Sequence, residues 1–235
     1  MTLRFSCFVT GTHTEIGKTL ISAALLHHLS QRGLRSIGMK PIAAGTTTDS
    51  NGVTSNEDID ALSAASSLNL PRPMTTPYLL RTPAAPHLAA AIDGVTIATD
   101  HIIDCYASLA LTAEAIVVEG VGGFCVPLSD DADTADLAQR LNLPVVMVVG
   151  MRLGCLNHAL LTAEAIRSRG LTLAGWVANC VPPAMPYVSD NITALQNRLK
   201  APLLGIVPPL PVANAAAAAA FLSPHLMAGW PMQHG

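Results

Sequence analysis

Two uninterrupted apolar runs, AIVVE at 115–119 and PVVMVV at 144–149, most constrain what this chain can fold into. A half-exposed strand alternates apolar and polar residues. A run that is apolar throughout fits a strand covered on both faces, as in a parallel sheet. Further β-type runs lie at 4–10, 35–40, 173–179 and 203–207. Helical patterns separate them at 18–31, 57–67, 157–169 and 189–199, the third closed by Gly170. Strands divided by helices pair in parallel through right-handed crossovers. The expectation is one doubly wound α/β domain over 1–235, with a mostly parallel sheet of about seven strands. Residues 46–56 are polar and read as a loop. Residues 68–87, with Pro71, Pro73, Pro77, Pro83 and Pro86, read as irregular surface chain.

Only 12% of residues are charged and the net charge is -3, so there is no basic footprint for nucleic acid or an anionic membrane. Five cysteines, without a CxxC pair or zinc spacing, fit reduced thiols and a cytoplasmic location. The N-terminal apolar stretch is short and makes a poor signal peptide. From Ala201 onward there is no Asp, Glu, Lys or Arg. Pro202, Pro208, Pro209 and Pro211 break that stretch, which argues against a membrane span. A buried last strand and a charge-free, alanine-rich tail from about 211, forming a helix, are expected instead.

GTHTEIGKT at 11–19 follows the first strand and opens the first helix. It fits GxxxxGK[ST] through Gly11, Gly17, Lys18 and Thr19, in the strand–loop–helix context that the motif requires. Backbone N–H groups of Thr12, His13, Thr14, Glu15, Ile16 and Gly17 can curl around a phosphate chain, aided by the helix dipole. Lys18 can reach the outer phosphates, and the Thr19 hydroxyl suits Mg²⁺. The plain alternative is a glycine turn with a solvated lysine. Lysine is scarce here, three against ten arginines, which favours the nucleotide reading. Lys40 ends the second strand, on the rim where open α/β sheets bind ligands. Glu119 ends the 115–119 run on that same rim and is a candidate Mg²⁺ ligand. Asp58 in NEDIDAL is a second candidate, although an acid at a helix start also stabilises the dipole.

With these residues placed, the chain resembles the dethiobiotin synthetase family. VTGTHTEIGKT, KPIAAG, NEDIDAL, PHLAA, VVEGVGG, LGCLNHALLT, GWVAN and PLLGIVP fall in that family's order over residues 5 to 210. The phosphate loop alone is generic to P-loop proteins; Lys40, Glu119 and LGCLNH together are specific. The resemblance implies ATP- and Mg²⁺-dependent joining of CO₂ to 7,8-diaminononanoate through a carbamate and a carbamic-phosphoric anhydride. It implies that Lys18 and Lys40 bracket the transferring phosphoryl group and carbamate, with Thr14 contacting phosphate or carbamate. Thr19, Asp58 and Glu119 would gather Mg²⁺, and Glu15 would help hold the nucleotide. Asn179 and Pro208 would belong to the base pocket, and Ala44 to the substrate-amine site. The turn at Gly154 would offer the N–H groups of Cys155, Leu156 and Asn157 to the substrate's distant carboxylate across a homodimer interface. His87 and the acids Asp130, Asp131 and Asp133 are left out of the chemistry.

Several positions depart from the family pattern. His13 stands where relatives carry Asp, Ala44 replaces a serine, and Val212 replaces an acid near the base. Asn191, with Tyr187 nearby, stands where an aromatic residue serves the partner's carboxylate site. Three other readings compete. Cobyrinic acid diamide synthases share the ancestry but carry a glutaminase domain. ParA/MinD-like switches carry an extra lysine early in the loop, and 12–16 has none. A bare nucleotide-binding module would not need Lys40 and Glu119 on one rim.

Overall fold

The computed structural model describes residues 2–48, 52 and 54–231. The chain opens with β1 (Phe5–Gly11), α1 (Lys18–Gln31), β2 (Ser36–Met39), β3 (Ile42–Ala44), β4 (Thr47–Thr48) and β5 (Thr54–Ser55). It continues with α2 (Glu57–Ala65), α3 (Arg72–Thr75), β6 (Tyr78–Leu80), α4 (Pro86–Asp93), α5 (Thr99–Thr112) and β7 (Ala115–Glu119). Then come α6 (Thr134–Leu141), β8 (Val145–Gly150), α7 (Cys155–Ser168), β9 (Leu173–Asn179), α8 (Val188–Leu199), β10 (Leu203–Val207) and α9 (Ala215–Ala219).

The central sheet has the order β10-β9-β8-β1-β7-β2, and every pairing in it is parallel. β7 and β8 lie on either side of β1 and are buried throughout, which is why both read as continuous apolar runs. Alternation along the strands splits the core in two. Phe8, Ile116, Val118, Val145 and Met147 face one layer, while Cys7, Val9, Val117, Val146 and Val148 face α1 and α9 on the other. All carboxyl ends meet on one rim, and the chain crosses over β1 between β7 and β8. That crossing is the switch point where such sheets bind ligands.

Four expectations change. The central sheet has six strands among the described residues, not seven. After Lys40, the chain leaves the sheet as β3 and pairs with β6, inside the stretch read as irregular. The polar 46–56 stretch carries a small antiparallel pair, β4 with β5; residues 49–51 and 53 lie outside the described residues. The last strand is an edge and not fully buried: Ile206 is 43% exposed. α5 had no clear sequence signal, since only Ile102, Cys105 and Leu109 are buried along it.

Both sheet edges are covered, which blocks pairing with a second chain. On β2, the N–H of Ser36 donates to Ser67 Oγ at 2.7 Å and that of Gly38 to Ser66 Oγ at 2.9 Å. On β10, the tail returns: Gly205 bridges Leu222, and the Ser223 N–H donates to Leu204 O at 2.6 Å. A Cβ on Gly205 would lie 2.1 Å from Phe221 O, so this contact requires glycine. Beyond the bridge, Trp230 is buried edge-on to Phe5 with ring centroids 4.8 Å apart, under the Arg32 guanidinium. Trp230→Ala is expected to cost about 3–5 kcal/mol, read as a lower midpoint in chemical denaturation. An unchanged midpoint would show that the tail does not contribute to the fold.

Candidate active site

The phosphate loop leaves β1 at Gly11 and enters α1 through Gly17, whose φ of +83° is left-handed. A side chain at Gly17 would also meet Asn179 Nδ2 at 2.3 Å. Ile16 plugs the loop into the sheet and is 1% exposed. Its side chain occupies space left by Gly11 and Gly150, where a Cβ would approach it to 2.7 and 2.5 Å. The loop closes on its lysine: Lys18 Nζ donates to His13 O at 3.0 Å. Burial and the neighbouring Lys40 ammonium push Lys18 down to about 8, against the opposing pull of Glu119 and Asp58. An anionic phosphate chain beside it would restore the full charge.

Lys40 lies opposite. The β2–β7 register pairs Met39 with Val118, so the next residues, Lys40 and Glu119, emerge side by side at the rim. Lys40 Nζ donates to Glu119 Oε1 at 2.5 Å, Asp58 Oδ2 at 2.8 Å and Gly120 O at 3.2 Å, which uses all three of its N–H groups. Burial opposes the charge on Lys40, but the two carboxylates outweigh it and raise its pKa above the ordinary lysine range. Asp58 responds in the opposite sense. Partial burial works against its ionisation, yet Lys40 and the Thr19 hydroxyl hold it below the usual carboxylate range. Asp58 is free for this role because Asn56 caps α2, accepting from the N–H of Asp58 and Ile59.

Thr19 Oγ1 lies 2.5 Å from Asp58 Oδ1 and 2.9 Å from Glu119 Oε1. The second oxygen, Glu119 Oε2, is buried without a hydrogen-bond partner. An orphan buried carboxylate oxygen beside a hydroxyl and a second carboxylate fits a hard divalent cation such as Mg²⁺. Among the described residues, no group of three or more His, Cys, Asp or Glu forms a metal cage. A hydroxyl and two carboxylates fit the partial shell that a protein offers where Mg²⁺ is shared with substrate phosphates.

A cleft of about 790 Å³ opens over these groups. Thr14, Glu15, Gly17, Lys18, Thr19, Lys40, Ala44 and Asp58 line it. Its far wall is Pro83 to Pro86 with Val121 to Gly123 and Val126. Of the 83–86 stretch the sequence marks only Pro86, in PHLAA; the residues at 83–85 read as irregular chain. Gly45, at φ +84°, seats beneath it, with Pro83 Cβ 3.1 Å from where a side chain would begin.

Other expected residues lie elsewhere. Asn179 is 5% exposed behind the loop, donating from Nδ2 to Ile16 O at 2.8 Å. Pro208 follows the Val207–Asn179 pair on the same rim. Thr12 donates its N–H to Val148 O at 3.1 Å, and His13 Nδ1 accepts from the Thr14 N–H at 2.7 Å, so these two N–H groups are engaged within the protein. At α7, Gly154 caps the helix with φ +95°. The expectation of three free N–H groups is corrected: Cys155 N–H turns back to Arg152 O at 3.0 Å. Cys155 is buried, and burial raises its thiol pKa above the ordinary range. None of 154–157 lines the cleft; they adjoin the phosphate loop, where the His13 and His158 ring centroids are 6.3 Å apart. Leu153, next to Gly154, is 95% exposed, and Tyr187, at the start of α8, is 77% exposed. Asp133 belongs to the fold: it caps α6 in a capping box with Asp136, and Arg169 pairs with both.

The chain is similar to proteins of known family and fold. The family described as an AAA domain matches residues 6–217. The ATP-dependent dethiobiotin synthetase BioD of Janthinobacterium sp. (strain Marseille) is 58% identical over 98% of this chain and 99% of its own. Solved structures agree in fold alone. The Aquifex aeolicus MinC:MinD complex matches with TM-score 0.57 and 13% identity, covering 91% of this chain and 92% of that one. A ParA family ATPase from Chlorobium tepidum gives 0.54 and 16%, over 95% and 90%. The septum site-determining protein MinD of Pyrococcus horikoshii, complexed with Mg-ADP, gives 0.51 and 16%, over 95% and 88%.

Proposed function

The chain belongs to the ATP-dependent dethiobiotin synthetase family, and from that premise we propose that its cleft carboxylates 7,8-diaminononanoate and closes the cyclic urea at the expense of ATP. One observation carries the reading. Two buried lysines, Lys18 at the start of α1 and Lys40 directly after β2, face one cleft beside the Thr19, Asp58 and Glu119 oxygens.

The chemistry requires that arrangement. One substrate amine takes up CO₂ and loses a proton to give a carbamate. A carbamate oxygen attacks the γ-phosphorus, ADP departs, and a carbamic-phosphoric anhydride remains. The second amine attacks its carbonyl carbon, phosphate leaves, and dethiobiotin is formed. An anion attacking a polyanion needs cations placed in advance, which is the task of Lys18 on the phosphate side and Lys40 on the carbamate side. Thr19, Asp58 and Glu119 would hold Mg²⁺, which when bound neutralises phosphate charge. Thr14 and Glu15 border the transfer path. No covalent nucleophile is needed, so positioning and electrostatics supply the rate.

The α7 surface supports the substrate's far end and the subunit contact. A diaminononanoate carboxylate would meet the Leu156 and Asn157 N–H groups, and a second copy would cover Leu153 and Tyr187, making a homodimer. Five free thiols fit a reducing cytoplasm, and among the described residues no helix is long and apolar enough to cross a membrane.

Purified protein given Mg-ATP, ¹³C-bicarbonate and 7,8-diaminononanoate is expected to yield labelled dethiobiotin with equimolar ADP by mass spectrometry. ADP without labelled product would refute the substrate assignment and leave an ATPase or a relative acting on another acid.

A further inference from the structure

We propose that Arg152 is a positioning residue of the phosphate loop, setting the direction of an N–H group that receives the nucleotide's phosphates. Its guanidinium Nη2 donates to Glu15 O at 3.2 Å, across 137 residues of chain. The next carbonyl, Ile16 O, is held at 2.8 Å by Asn179 Nδ2. Two consecutive loop carbonyls are thus drawn toward the ends of β8 and β9. In a trans peptide the C=O and N–H point in opposite directions. Holding these carbonyls outward therefore turns the Ile16 and Gly17 N–H groups away from β8 and β9, toward the side where Glu15 and Gly17 line the cleft. Such successive inward N–H groups form an anion nest.

The loop needs this support. Glu15 has φ +56°, a left-handed conformation that is costly for a residue with a side chain and persists only when its surroundings impose it. Ile16 anchors the apolar side of the loop, while Arg152 and Asn179 orient its peptides. Arg152 also shapes the turn into α7, because its own carbonyl accepts from Cys155 N–H at 3.0 Å. One residue thus joins the phosphate loop to the helix start assigned to the substrate carboxylate. Arg152 Nε is buried without an acceptor. Lysine is therefore the natural rescue: it supplies a cationic donor without that second N–H.

This proposal rests on the reading of residues 12–19 as a phosphate loop. Titration calorimetry of the wild type, Arg152→Ala and Arg152→Lys with ADP, inorganic triphosphate and diaminononanoate tests it. Arg152→Ala is expected to weaken ADP and triphosphate by roughly tenfold, the worth of a charge-assisted hydrogen bond, and the diamine acid far less. Arg152→Lys should recover most of that loss. Unchanged ADP affinity in Arg152→Ala would overturn the proposal. So would an equal loss for all three ligands with a lowered melting temperature, or a lysine variant no better than alanine. Wild type binding neither ADP nor triphosphate would instead sink the phosphate-loop reading, and the proposal with it.

Discussion

Lys40→Ala is expected to keep ATP binding largely intact and to abolish urea closure. In the proposed reading the loop and Lys18 hold ATP, whereas Lys40 Nζ pairs with Glu119 and Asp58 in the same cleft. Removing a preorganised donor aimed at developing charge costs about 10²–10³ in kcat. The substitution also strips the cation from Glu119, which is 0% exposed, and breaking a buried pair costs about 3–5 kcal/mol of stability. Folding is therefore monitored alongside, and Lys40→Gln serves as the companion because it keeps an N–H donor beside Glu119. Single-turnover formation of labelled product, with ATP affinity measured separately, is the readout. Turnover near wild type in both folded variants would show that Lys40 takes no part in the transition state.

The second large effect is at α7. Asn157→Asp is expected to raise the KM for diaminononanoate by about 10- to 100-fold, since it places a negative charge where the substrate carboxylate would dock. The helix itself should not suffer. Residue 157 is in the first turn of α7, where an acid is stabilising by about 0.3–1 kcal/mol. A melting temperature held or raised, together with lost substrate affinity and unchanged ATP affinity, would separate a docking role from a structural one. Equal weakening of both ligands would count against carboxylate docking there.

Much of the site was legible because its parts end parallel strands. Lys40 and Glu119 each close an apolar run, and in this architecture every such end lies on the ligand rim. Local chemistry also marked the loop, since the glycines of GTHTEIGKT carry their own torsional meaning. Elsewhere the local signal was weak or misleading. The polar 46–56 stretch holds a hairpin whose strands are two residues each, too short to show alternation. Residues 83–86 line the cleft after β3 leaves the central sheet and pairs with β6, a pairing that short strands of three residues do not announce. The Cys155 N–H was expected to be free, and one turn of backbone geometry committed it to Arg152 O.

The sequence by itself determined the doubly wound parallel architecture, the phosphate loop and the identity of the cations and acids on the rim. Burial on both faces and the torsions of glycine write those properties into consecutive residues. Only the tertiary structure decided which rim residues touch. Strand order made β2 and β7 neighbours and brought Lys40 to Glu119, while the ends of β8 and β9 brought Arg152 and Asn179 to the loop carbonyls. Those contacts join residues 79 to 163 apart in the chain. No local pattern encodes them, because they depend on the order in which the strands pack.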